Sequence, residues 1–206
     1  MTKLFQIITD SSCDLPQSLA DELDLRVLPL HVTIDGKTYN NYLDGREIAF
    51  KDFFDKLRAG SQGTTSAVNP EEFRAEMEPV LAAGLDVLYV GFSSGLSTTY
   101  QSGCIAADEL REKYPERKIL TIDSLGASLG EGLYVYLAAK KQQSGATIEE
   151  TYDYLMQTRP HLCHWFTVND LMHLKRGGRV SGPAAAIGTL LNICPVMDVN
   201  SQGKLI

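Results

Sequence analysis

Hydroxyl side chains gather in four short clusters along this 206-residue sequence, and these clusters carry most of its potential chemistry. They are Thr9-Asp10-Ser11-Ser12, Thr64-Thr65-Ser66, Gly91-Phe92-Ser93-Ser94-Gly95-Leu96-Ser97-Thr98-Thr99-Tyr100 and Asp123-Ser124. Serine and threonine hydroxyls beside helix N-termini form a neutral cradle for a carboxylate or phosphate. The same residue types also cap helices and make turns, so one cluster alone supports either reading. A compact basic turn, Lys175-Arg176-Gly177-Gly178-Arg179, presents two guanidinium groups. Each can clamp a carboxylate bidentately; the plain alternative is a solvated loop closing a helix.

Gly91-x-Ser93-x-Gly95 also fits the G-x-S-x-G pattern of a nucleophile elbow between a strand and a helix. An acid and a histidine follow in the expected order, Asp123 and then His161 or His164. A serine esterase is therefore the alternative function. Against it, no HGGG-type oxyanion motif lies upstream, and the other strand ends carry hydroxyls rather than a base. The remaining histidines, His31 and His173, complete no metal-binding spacing. Cys13, Cys104, Cys163 and Cys194 are far apart and form no C-x-x-C, so four reduced thiols are expected, without a metal or disulfide framework. No P-loop or Gly-rich nucleotide fingerprint occurs, and no cofactor is expected.

Alternating strands and helices must position these groups. Residues 3–9 and 85–90 are apolar strands, and residues 118–122 form another. Residues 25–40 read as a hairpin about the Asp35-Gly36 turn. Helices are expected over residues 16–23, 46–57, 98–113 and 129–143. Two more follow the capping boxes Asn69/Glu72 and Thr147/Glu150, the latter running to about residue 158. This alternation predicts a parallel, doubly wound α/β domain over residues 1–157. In such a sheet, ligands bind outside the carboxyl ends of the strands. Three hydroxyl clusters follow strands and so share one edge; Thr64-Thr65-Ser66 precedes a helix.

The pattern then changes. A short strand at 164–167, a brief helix capped by Asn169 and a small-residue helix at 183–191 are expected. Strands at 193–199 and 204–206 follow, around Asn200-Ser201-Gln202-Gly203. Residues 158–206 read as the start of a second, α+β domain that is truncated. Its sheet lacks partners, so the chain is expected to be a fragment or to be completed by another polypeptide.

Hydrophobic residues make up 44% of the chain, enough for a sizeable core. With 19 basic and 26 acidic residues, the net charge of −7 disfavours nucleic acid and anionic membranes as partners. No stretch reaches the roughly 18 apolar residues of a membrane span. The N-terminal apolar run is too short for a signal peptide, so a cytoplasmic protein without stable membrane insertion is expected.

The sequence resembles the DegV family. The resemblance is carried by residues 8–16, by Leu28-Pro29-Leu30 through Tyr39, and by Thr65-Ser66 before Pro70 and Phe73. Residues 93–101, Ile122-Asp123-Ser124 and residues 174–179 complete it. It implies two α/β domains that hold one long-chain fatty acid between them and do no chemistry themselves. A separate fatty acid kinase then converts the presented acid to acyl phosphate. The family's carboxylate-binding threonine falls on Thr65 and its serine in the Ser93-Ser94 pair, with Ser94 favoured. Its arginine falls in the turn bearing Arg176 and Arg179. Ser11, Ser12 and Ser66 join the set as further hydroxyl candidates. Relatives often read Thr-Ser-Gln-Pro where this chain has Thr65-Ser66-Ala67-Val68-Asn69-Pro70. The resemblance also implies a carboxylate-binding histidine beyond residue 206, to which no histidine here corresponds.

Overall fold

The computed structural model describes residues 4–180 and 195–206. The first half contains β1 (Phe5–Asp10), α1 (Gln17–Glu22), β2 (Arg26–Leu28), β3 (Leu30–Ile34), β4 (Lys37–Asn41), α2 (Phe50–Arg58) and β5 (Gly63–Ser66). Then come α3 (Pro70–Ala82), β6 (Asp86–Gly91), α4 (Thr99–Lys113), β7 (Ile119–Asp123), α5 (Leu129–Gln143) and α6 (Ile148–Thr158). The last are β8 (Phe166–Thr167), α7 (Leu171–Arg176) and β9 (Val196–Met197).

The main sheet has strand order β2-β1-β6-β7, and every neighbouring pair is parallel. Side chains alternate across it, as the two-residue period of a strand requires. Phe5, Ile7, Leu88, Val90 and Ile122 pack against α5 and α6, through Tyr134, Val135, Ala138 and Leu155. Ile8, Val87, Tyr89 and Ile119 face the other way, onto Phe73 and Met77 of α3 and Ala106 and Leu110 of α4. Both faces are covered, so the strands read as continuous apolar runs. The doubly wound α/β architecture is as expected.

Two helices begin where the capping boxes placed them. Asn69 Oδ1 accepts from the Glu72 N–H, and Glu72 reaches back to the Asn69 N–H at 2.8 Å. Thr147 and Glu150 repeat the arrangement at the start of α6. Helix α5 spans the expected 129–143. Helix α2 starts at Phe50 rather than residue 46, because Arg46 instead folds back on Asp44. Asp170, not Asn169, caps α7 by accepting from the Met172 N–H.

The expected hairpin at 25–40 divides in two. Arg26–Leu28 joins the parallel sheet as β2, and Pro29, which has no N–H for a ladder, separates it from β3. Strands β3 and β4 pair about Asp35-Gly36, both residues with positive φ. The unforeseen element is β5, which pairs antiparallel with β3 and makes a second sheet of order β4-β3-β5. Thr64-Thr65-Ser66 thus lie on a strand, just before α3 as expected.

In the last segment, β8 pairs with β9, and Val199 bridges Leu205 in the expected final hairpin. Strand β8 is shorter than the expected 164–167. The expected helix at 183–191, the start of the strand at 193 and Cys194 lie outside the described residues. Cys13, Cys104 and Cys163 are free thiols. Among the described residues, no helix is long and apolar enough to cross a membrane.

Candidate functional site

All four parallel strands run toward one edge, so the clusters after β1, β6 and β7 meet there. Strand order reverses between β1 and β6, the crevice where open α/β folds commonly place ligands. Here that crevice is filled by the protein's own contacts. Asp10 Oδ2 accepts from the Phe92 N–H at 3.1 Å and from the Tyr89 hydroxyl at 3.3 Å. Its Oδ1 accepts from the N–H and the hydroxyl of Ser12. At the end of β7, Asp123 Oδ1 accepts from the Ser94 N–H at 3.2 Å and the Leu125 N–H at 3.0 Å. Two strand-end carboxyls therefore hold the loop after β6 from either side.

Beyond this loop lies a cleft of about 1030 Å³, walled by the loop, by β5 and by the turn after α7. Thr65, Ser66, Ser94, Arg176 and Arg179 all line it. Five of the eight residues singled out from sequence thus converge on one cavity. Apolar wall is supplied by Leu30, Leu57, Phe92, Leu96 and Leu174. Strand register explains part of the convergence. Thr65 stands opposite Val32, and Ser66 opposite His31, whose ring is held by Asn40 and Glu72.

The other three serines face elsewhere. The Ser11 hydroxyl accepts from the Leu30 N–H at 3.0 Å and from the Asn41 amide, tying β1 to the antiparallel sheet. The Ser12 hydroxyl lies between Asp10 and Glu131. Ser93 is fully buried; its hydroxyl donates to the Gly203 carbonyl at 2.8 Å and accepts from the Gly95 N–H. An elbow serine must stand exposed above the sheet, and Ser93 does not.

The cationic side of the cleft is loosely tethered. Arg176 pairs with Asp170 at 3.4 Å, and both side chains are about half exposed. Such a pair contributes only about 0–1 kcal/mol, so the guanidinium is readily recruited by an anion. Arg179 donates to the Leu96 carbonyl at 3.1 Å, and to Gly177, drawing the basic turn against the loop. His173 also lines the cleft, one helical turn before Arg176. Sequence reading passed over it, although the i,i+3 spacing places both on one face. No group among the described residues could hold a metal ion.

Sequence reading also missed Glu131. It is fully buried in the first turn of α5, accepting from the Thr9 hydroxyl and lying 2.9 Å from the Ser12 hydroxyl. Burial, and then the charge of Asp10, push its carboxyl well above the usual carboxylate range. Burial raises Asp10 too, but hydrogen bonds from Ser12, Phe92 and Tyr89 oppose it.

These features define an open α/β protein with a hydroxyl- and arginine-lined cleft beyond its strand ends. The chain belongs to the DegV family: the model for that family, described as an uncharacterised protein family, matches residues 4–206. A DegV domain-containing protein of Clostridium perfringens is 46% identical over 203 residues, covering 98% of this chain and 69% of the relative. A Thermus thermophilus DegV family structure described for its fatty acid binding superposes with a TM-score of 0.85 at 36% identity, over 98% of this chain and 69% of that one. A fatty acid binding DegV family protein from Streptococcus agalactiae gives 0.83 at 29% identity, over 99% and 70%.

Proposed function

We propose that this chain binds one long-chain fatty acid, with the carboxylate at the polar end of the cleft and the acyl chain along its apolar wall. Thr65 and Ser94 supply neutral donors, and Arg176 and Arg179 supply charge. Ser66 and His173 flank them. One observation carries the reading: these groups line one cleft in a chain whose relatives include fatty-acid-binding structures. The volume lies just above the usual range for small-molecule pockets.

Energetics fit this division of labour. Burying roughly 15 methylenes at about 0.8 kcal/mol each gives on the order of 12 kcal/mol before the costs of binding. Each charge-assisted bond to the head group adds about 1.5–3 kcal/mol. The tail supplies affinity and the hydroxyls supply orientation. The chain is a carrier rather than an enzyme, presenting the carboxylate to a separate fatty acid kinase in the cytoplasm. Residues 158–206 begin the second domain of that carrier.

Native mass spectrometry before and after solvent extraction tests the reading. Excess mass matching one fatty acid, lost on extraction, is expected. Folded protein that carries no lipid and takes up neither oleate nor palmitate would overturn it. A fluorophosphonate reagent that labels Ser93 would favour the esterase instead.

A further inference from the structure

We propose that Asp10 and Glu131 share one proton through the Ser12 hydroxyl, with Glu131 the protonated partner, and that this pair positions Ser94 by holding Phe92. The functional part rests on the fatty acid reading above; the placement of the proton does not.

The assignment follows from counting donors. Asp10 meets two obligate donors, the N–H of Ser12 on one oxygen and the N–H of Phe92 on the other. Two hydroxyls, from Ser12 and Tyr89, complete its four acceptor sites. Glu131 meets only hydroxyls, those of Thr9 at 3.2 Å and Ser12 at 2.9 Å, and both can donate or accept. The negative charge therefore settles on Asp10. Ser12 has one hydroxyl proton, and giving it to Asp10 leaves its oxygen to accept from Glu131. A protonated Glu131 provides that hydrogen bond; an ionised one would leave two acceptors facing each other at 2.9 Å.

The surroundings force the same economy. Asp10 and Glu131 are both 0% exposed. Asp10 lies on β1, Glu131 on α5, Tyr89 on β6, and Cys13 and Asp14 in the turn after β1. The groups that act on the two carboxyls are acids, a phenol and a thiol; His164, which stands against Gly126 and Gly130 at the start of α5, is held toward its neutral form by burial, and no ion pair reaches either carboxyl among the described residues. Two buried carboxylates without a cation repel strongly, and holding one proton between them removes the second charge. The retained charge faces Phe92, two residues before Ser94, so it sets where the Ser94 side chain enters the cleft. Glu131 thereby acts as a positioning residue, through Ser12 and Asp10.

Two measurements on the whole protein test this. Infrared difference spectroscopy near neutral pH should show a protonated-carboxyl stretch that Glu131→Gln removes and Asp10→Asn leaves in place. Its absence from the wild type, or its loss only in D10N, would overturn the assignment. The second is the ratio of affinities for palmitate and for the alcohol of the same length, which isolates the head group. E131Q can still donate to Ser12 and accept from Thr9, so the ratio should stay within about twofold of wild type, whereas Glu131→Ala should lower it by about tenfold. Equal ratios in E131A and wild type would sink the positioning role. A wild type that binds neither lipid would refute the fatty acid reading and leave the infrared result to decide the proton.

Discussion

Asp123 accepts the backbone N–H of Ser94 at 3.2 Å, so the residue that ends β7 fixes the residue that reaches into the cleft from β6. The same oxygen takes the Leu125 N–H, which makes Asp123 a clamp between two loops. Asp123→Ala should leave two loop N–H groups unpaired and lower stability by about 1–3 kcal/mol. Palmitate affinity should fall with it. Urea unfolding with and without palmitate separates the two effects; a variant of wild-type stability and affinity would show that the clamp is dispensable.

Thr65 lines the cleft from β5 and Ser94 from the loop after β6. Each substitution to alanine should cost about 1 kcal/mol of binding, or roughly fivefold in Kd. Acyl phosphate formation with a fatty acid kinase should suffer more than affinity does, because orientation is lost while the tail contacts remain. Undiminished phosphorylation of palmitate delivered by the double variant would contradict these roles.

Ser93 offers the opposite expectation. It is buried, with its hydroxyl on Gly203, and a side chain at Gly203 would place its Cβ 2.0 Å from that oxygen. Gly203 also has φ +71°, where a side chain is strained. Gly203→Ala should therefore destabilise by more than about 1 kcal/mol. Ser93→Ala should lower the thermal midpoint, yet leave the palmitate-to-alcohol affinity ratio unchanged. A selective fall in that ratio would return Ser93 to the head-group site.

Glu131 makes stability depend on pH. Its folded-state affinity for a proton lies well above the ordinary value of 4.5. Above that value the unfolded chain releases the proton while the folded chain retains it, so folding loses stability as pH rises. Glu131→Gln cannot titrate. The thermal midpoint of E131Q relative to wild type should thus rise over the pH window that opens above the ordinary value of 4.5. A constant difference across that window would mean that Glu131 ionises normally in the folded protein.

Much of this was legible in the sequence because local rules and tertiary packing agree. Capping boxes at Asn69 and Thr147 marked α3 and α6, and the apolar runs at β1 and β6 matched a sheet buried on both faces. Thr65, Ser94 and Arg176 stood out because hydroxyls and arginines beside glycines are conspicuous. Strand β5 was hidden because Gly63-Thr64-Thr65-Ser66 has no apolar alternation and depends on pairing with β3. Ser11, Ser12 and Ser93 carry the same residue types as Ser94, and only tertiary contacts distinguish a hydroxyl that builds the loop from one that faces the cleft. Glu131, in the first turn of a helix, reads as an ordinary solvated acid; its burial is created by β1 and the turn that follows.

The cleft has two walls of unequal firmness. The loop after β6 is pinned to a sheet covered on both faces, whereas α2, which contributes Leu57 to the lining, buries none of its residues and leaves Phe50 and Phe54 about half exposed. Free energies of local opening follow such differences in buried contact. Deuterium should therefore enter the amides of α2 long before those of β1 or β6, and bound lipid should slow that exchange. In the fatty acid complex proposed above, the soft wall is then the part of the molecule that can yield to acyl chains of different shape, while the loop that carries Ser94 stays fixed.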